Sequence, residues 1–321
     1  MESFAVAVNA VMPFLIYISF GYGVRMSGLV DEDFMNKLNK LIFRAFFPIL
    51  MFNNLYKMEP GSTLDGKLAA VGIVSILLLE VLLVLIVPKL VKGNPQRGVV
   101  IQGIYRSNFV LFAIPLTTSL FGEEGAALAS MMVAIVIPVY NVTAVIILEM
   151  FHGGSSDIKK LVKNVVTNPL IMGAVTGLVF FLLGIHMPSC VNETVSQFAG
   201  LTTPLALFVL GGTLHFSAVK GNLKYLVPSL TVKMIVLPAI ITVAATAMGF
   251  GSLERFVLFT MYATPVATAS YSMAQNMGGD GELAGQFVVV STAASIATIF
   301  LWVLLFESMG RQWGRKRRIW R

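Results

Sequence analysis

Apolar residues in this chain come in long blocks that exclude charge, not in alternation with polar ones. Charge-free runs cover Ser3–Val24, Ala126–Leu148, Asn164–Ile185, Thr194–Leu214, Met234–Leu253, Phe256–Gly279 and Leu283–Phe306. Three further runs are less clean. Leu41–Tyr56 follows a basic lead-in (Lys37, Lys40, Arg44), Leu68–Pro88 contains Glu80, and Val99–Phe121 contains Arg106. A membrane helix needs about 20 mostly apolar residues. The pattern therefore predicts an all-α integral membrane protein with ten transmembrane helices.

Composition agrees with that reading. Of 321 residues, 56% are apolar and 12% charged, against about 25% charged in soluble domains; the mean hydropathy is +0.82. The net charge of +7 does not point to nucleic acid, because the cations sit in short loops and a tail, where they set membrane orientation. With the N-terminus outside, Arg25, Lys37, Lys40, Arg44, Lys89, Lys92, Arg97, Lys159, Lys160, Lys163, Lys220 and Lys224 fall on the cytoplasmic side. Only Lys57, Lys67 and Arg255 then fall outside. The tail RQWGRKRRIWR, with six cations, runs against this orientation unless the count of spans is off by one. The first apolar block is too long for a signal peptide and begins with Glu2, so it is expected to stay as the first span. A multi-pass protein of the cell membrane is expected. Cys190 is alone and carries no disulfide framework.

The chain also matches itself at an offset near 157. Pro48 and Phe52 parallel Pro204 and Phe208, Lys67 parallels Lys224, Tyr105 parallels Tyr262, and Gly122-Glu123 parallels Gly279-Asp280. Each match falls at the same place in corresponding spans. Five spans per repeat is odd, so the second repeat enters the membrane from the opposite side, as in many secondary transporters. The expected organisation is a first repeat at 1–151, a short cytoplasmic linker at 152–163, a second, inverted repeat at 164–310 and a basic tail at 311–321.

Two interrupted segments correspond across the repeat, YRSNFVLFAIP (105–115) and YATPVATASYS (262–272). Asn108 needs hydrogen-bond partners that lipid cannot supply, and Pro115 and Pro265 each remove a backbone donor. The two are expected to cross near the membrane centre as broken helices 4 and 9. Half-helix N-termini would then offer unpaired N–H groups and positive dipole ends to an anion. Asn108, Ser107, Thr264 and Thr268 would add polar groups, with Asn141 a further candidate. Arg106 either clamps a carboxylate or snorkels toward the headgroups, being nine residues from Arg97. The crossing holds no Asp or Glu, which disfavours a cation antiporter and favours an anionic or neutral organic substrate.

Glu80 and Lys233 are isolated charges in corresponding spans, costly unless partnered. They are expected either to pair with each other or, for Glu80, to couple transport to protons. His152, His186 and His215 are dispersed without metal-ligand spacing, no phosphate-binding or dinucleotide motif appears, and GGDGE at 278–282 reads as a turn. Neither a metal nor a cofactor is expected, and no residue set suits an enzyme.

NFVLFAIP, NPL (168–170), PLALFVLGGTL (204–214), ATPVATASYSMAQ (263–275) and STAASIATI (291–299) together resemble the auxin efflux carrier family in its fourth, sixth, seventh, ninth and tenth spans. The resemblance covers residues 5 to 308 or so. It implies a ten-helix fold of two inverted five-helix repeats, like that of sodium/bile-acid symporters. The first, second, sixth and seventh spans would form a scaffold, through which a homodimer forms, and the crossed fourth and ninth spans would belong to a part that moves as an elevator. Plant members carry auxin; bacterial members are associated with malate, malonate and similar acids. Asn108 and Pro115 would be the crossover residues of the fourth span and Pro265 that of the ninth. The plant family's second proline of the ninth span is replaced within SYS, and its long central loop is reduced to GGSSDIKKLVKN, a bacterial-type pattern. A secondary carrier for small organic anions is the first expectation. A sodium- or proton-coupled solute symporter is the second, and a non-transporting membrane receptor or scaffold the third.

Overall fold

The computed structural model describes residues 2–57, 66–152, 158–214 and 219–319. Residues 153–157 of the linker, His215, the last two residues of the tail and the tail's side chains lie outside the described residues. Among the described residues the secondary structure is helical, apart from one isolated antiparallel bridge, Ser107 with Val266.

Helix α1 spans Glu2–Met26 and α2 spans Glu32–Leu41, the latter capped by Asp31, whose carboxylate accepts from the Phe34 amide at 2.7 Å. A π-helical turn, Ile42–Phe46, joins α2 directly to α3 (Phe47–Tyr56), so the basic lead-in and the second apolar block form one continuous rod. Helix α4 spans Gly66–Leu90 and buries a single stripe, Leu68, Gly72, Ile76, Glu80, Leu83 and Val87. That spacing of three and four is one face of a helix. Leu78, Val81 and Leu85 on its opposite side are more than half exposed, as a lipid-facing surface requires.

Helix α5 (Asn94–Tyr105) stops at Arg106 and α6 (Phe109–Phe151) starts three residues later. Helix α6 has 43 residues, about 65 Å at 1.5 Å per residue, twice the thickness of a hydrocarbon core. Gly122, at φ 64° and ψ −147°, kinks it in the middle, a conformation that glycine alone adopts without strain. Helices α7 (Ile158–Val166) and α8 (Pro169–Leu182) meet at 60°. The bend follows from Asn168-Pro169: the Asn168 side chain accepts from the Leu170 amide at 3.0 Å and Pro169 takes the first helical position.

Helix α9 spans Ser189–Thr213. Helix α10 (Val219–Thr231) runs through a second π-helical turn, Val232–Val236, into α11 (Leu237–Ala247). Helix α12 (Ser252–Ala263) and α13 (Ala269–Asn276) flank the second break, and α14 covers Gly281–Ile319. Asp280 caps α14 by accepting from the Leu283 amide at 2.9 Å, so GGDGE is a turn. Among the described residues five helices can, by length and apolarity, cross a membrane, or six if the bent α7–α8 pair is one span. The chain is a multi-pass membrane protein.

Among the described residues two helix pairs approach to backbone contact. Helix α1 lies on α9, where a Cβ on Gly21 would meet the Phe208 carbonyl and one on Gly211 the Ile18 carbonyl. Helix α3 lies on α8, where Gly177 faces the Phe52 carbonyl and Gly173 that of Pro48. The Gly21–Phe208 and Gly177–Phe52 contacts are one arrangement made twice, each residue standing 156 positions from its counterpart.

Candidate functional site: a cavity at two broken helices

The breaks at 106–108 and 264–268 lie against each other. The Asn108 amide donates to the Pro265 carbonyl at 2.8 Å, and Ser107 bridges to Val266. The Val266 amide donates to Ser291 Oγ at 3.0 Å. Four half-helix ends therefore converge: the C-termini of α5 and α12 and the N-termini of α6 and α13. Among the described residues the Phe109, Val110 and Ala269 amides donate to no backbone carbonyl, as expected at helix N-termini, while those of Leu111, Ser270 and Tyr271 close onto Asn108, Ala267 and Thr268. The residues preceding the two N-termini, Asn108 and Thr268, make no side-chain cap. They turn to each other instead, Asn108 Nδ2 donating to Thr268 Oγ1 at 3.4 Å.

Both N-termini open on a cavity of about 490 Å³. Arg106, Ser107, Asn108, Asn141 and Thr268 contribute polar groups to its wall. Phe14, Phe47, Leu50, Met51 and Leu207, from α1, α3 and α9, supply an apolar wall opposite. At the mouth the exposed Lys57 donates to Ser196 Oγ at 2.6 Å, beside Asn53.

Lys57 is the exposed charged group of the cavity and Arg106 the buried one. Its residue is 2% exposed, so it does not snorkel; the break turns the side chain inward, toward α6. One Nη donates to Asn141 Oδ1 at 2.5 Å, and the other donates to Gln102 Oε1 at 3.4 Å and faces Met273 Sδ at 2.8 Å. Among the described residues no carboxylate lies within 4.0 Å of the guanidinium; the ion pairs found are Arg25–Glu32 and Lys37–Asp33. Gln102 is positioned by its spacing, four residues before Arg106 on α5.

Other expectations need correcting. Glu80 and Lys233 do not pair. Glu80 lies on the buried stripe of α4 and accepts from Thr143 Oγ1 of α6 at 2.6 Å. Lys233 donates to the Arg106 carbonyl at 3.1 Å and to Ser107 Oγ at 2.7 Å. Equal depth in corresponding spans leaves their azimuths free, and the two helices turn them to different neighbours. Pro115 is not at the break: it is exposed, well inside α6, while the interruption falls at Arg106–Asn108. Pro265 does lie in its break. Thr264 is fully buried but off the cavity, its hydroxyl unpartnered among the described residues.

Sequence reasoning passed over Tyr140, which lines the cavity and donates to the Met261 carbonyl near the end of α12 at 3.0 Å. It also missed two bonds of α13, Tyr271 Oη to Thr213 Oγ1 and Ser272 Oγ to Asn39 Oδ1, both 2.6 Å. No group of three His, Cys, Asp or Glu suited to a metal occurs among the described residues.

Comparison with known proteins gives this arrangement its context. A family described as membrane transport protein matches residues 6–303. An uncharacterized transporter of the archaeon Methanocaldococcus jannaschii is 22% identical over 306 residues, covering 92% of this chain and 98% of the relative. Another, from Methanothermobacter thermautotrophicus, is 21% identical over 300 residues, 92% of this chain and 97% of its own. A match over nearly the whole length, on a helical membrane protein with paired breaks, leads to one conclusion: the chain belongs to the auxin efflux carrier family of membrane transport proteins.

Proposed function

We propose that this protein is a secondary carrier that moves small organic anions, carboxylates above all, across the cell membrane. The observation that carries the reading is Arg106, a buried guanidinium on the wall of the cavity with no carboxylate within 4.0 Å among the described residues, Glu80 acting on its charge only from beyond ion-pair distance. Arg has five donors; three are taken by Asn141, Gln102 and the Met273 sulfur. A substrate carboxylate would supply a direct ion-pair partner and further acceptors, assisted by Asn108, Thr268 and the N–H groups heading α6 and α13. The apolar wall from α1, α3 and α9 would take the rest of the molecule.

Ten spans in two inverted five-helix repeats belong to the same reading. In its support, both repeats carry a break at the matched position, and the Gly21–Phe208 contact recurs as Gly177–Phe52. An elevator motion is favoured by the contrast between interfaces. Helices α1, α9, α3 and α8 touch backbone to backbone, which suits a rigid scaffold and a homodimer built on it. Helix α13 is joined to α2 and α9 through side-chain hydrogen bonds at Ser272 and Tyr271, which are easily exchanged.

Thermal unfolding of the purified protein against a panel of small carboxylates, with Asn108→Ala in parallel, tests the reading. A ligand of the folded state raises the melting temperature by mass action. A rise with one acid, lost in the variant, is the expected result. No rise with any acid, together with a rise from sodium or a neutral compound, would replace it by a cation-coupled symporter.

A further inference from the structure

Lys233 is the second buried cation of the crossing, and the carboxylate site does not use it: it is 0% exposed and off the cavity wall. It belongs to the π-helical turn Val232–Val236, whose Ile235 and Val236 are exposed on the lipid side while Lys233 and Met234 point inward. A π turn inserts an extra residue and is frequent at functional positions. Here it aims the side-chain nitrogen at the first break, where Nζ donates to the Arg106 carbonyl at 3.1 Å and to Ser107 Oγ at 2.7 Å. Among the described residues no carboxylate lies within 4.0 Å of it.

Its ligands are those of a small monovalent cation: a main-chain carbonyl, a hydroxyl and the negative end of a helix, here α5. In carriers built from inverted repeats, unwound carbonyls and half-helix C-termini are where coupling ions are held. Among the described residues the second break has no such cation. There, the Met261 carbonyl near the end of α12 receives the neutral phenol of Tyr140, and the Pro265 carbonyl receives the Asn108 amide.

We propose that Lys233 is a tethered counter-cation: its ammonium stands where a dissociable coupling ion would bind at the first break, so the carrier works without sodium. The proposal rests on the carrier reading, but its test needs no substrate. A failed carboxylate panel and a failed role for Lys233 are therefore told apart.

The test compares melting temperatures of the full-length wild type, Lys233→Ala and Lys233→Met at constant ionic strength in sodium, N-methylglucamine or methylammonium chloride. The wild type is expected to melt at one temperature in all three. Lys233→Ala should melt several degrees lower and recover part of the loss, saturably, with sodium or methylammonium but not with the bulky N-methylglucamine. Lys233→Met, whose apolar chain fills the space a cation would need, should stay unresponsive to all three salts. Saturable stabilisation of the wild type by sodium overturns the proposal, and this arm stands whether or not either variant folds. Lys233→Ala with no cation response, or Lys233→Met responding to the cations as Lys233→Ala does, overturns it as well.

Discussion

Replacing Arg106 by Gln separates what the residue does for the fold from what it does for a ligand. In the protein alone the guanidinium is buried without a described carboxylate within 4.0 Å. A buried charge carries a desolvation penalty of several kcal/mol that neutral amides such as Asn141 and Gln102 offset only in part. The neutral Arg106→Gln protein should therefore melt at or above the wild-type temperature. Binding should move the other way. Hydrogen bonds to a charged group are worth about 1.5–3 kcal/mol, so losing the guanidinium should weaken a carboxylate roughly 10- to 140-fold. At an acid concentration about 100 times the wild-type Kd, the ligand stabilises the wild type by about 2.7 kcal/mol. The same concentration should leave the variant about 0.3–1.4 kcal/mol, from the same mass-action relation. Thermal unfolding with and without acid reads both quantities from one preparation. Arg106→Lys, which keeps the charge but loses the planar fork, should fall between. A variant with lowered stability in the absence of acid and an undiminished acid response would show that Arg106 is structural and that the anion binds elsewhere.

The close helix approaches make a second expectation. Gly21→Ala and Gly177→Ala should each destabilise by about 1–3 kcal/mol through overpacking, while Gly23→Ala, with nothing within 4 Å of its Cβ, should be neutral or slightly stabilising in the same unfolding assay. Thr203→Cys on the cavity wall, in a Cys190→Ser background that removes the exposed native thiol, should react with a water-soluble maleimide and be protected by the transported acid. Adding Ser272→Ala, which removes the bond to Asn39, should slow that labelling as the state open at Lys57 loses population; an unchanged rate would deny α13 a latching role. Glu80→Gln keeps an acceptor for Thr143 and lies off the cavity, so its acid affinity should stay within about twofold, a change of roughly 0.4 kcal/mol. Uptake that still follows a pH gradient in this variant would remove Glu80 from proton coupling.

Helix positions are the legible part of this chain, because a charge-free block in a membrane protein has few alternatives to a helix. The two breaks are legible as well, though for an inexact reason. Pro115 draws attention to the fourth span, yet it rides inside α6, where the bulk of the helix absorbs one lost hydrogen bond. The interruption sits instead at Arg106–Asn108, polar residues that make an odd opening for a membrane segment. Half of the cavity cannot be read from sequence at all. Phe14, Phe47, Leu50, Met51 and Leu207 line it, but an apolar side chain facing a cavity has the same sequence signature as one facing lipid.

Charge placement fails for a related reason, and Lys233 shows where the missing information lies. Sequence sets the depth of a residue in a span, while its neighbours depend on azimuth, which turns by about 100° per residue. Glu80 obeys the regular rule: it shares a stripe with Gly72, Ile76 and Leu83 on α4, and that stripe meets Thr143 of α6. Lys233 sits in a π turn, where one extra residue shifts the phase of everything around it. No count of residues from a neighbouring span anticipates that shift. The same turn that hides its partners from the sequence delivers its side-chain nitrogen to the end of α5, where the Arg106 carbonyl and the Ser107 hydroxyl meet it.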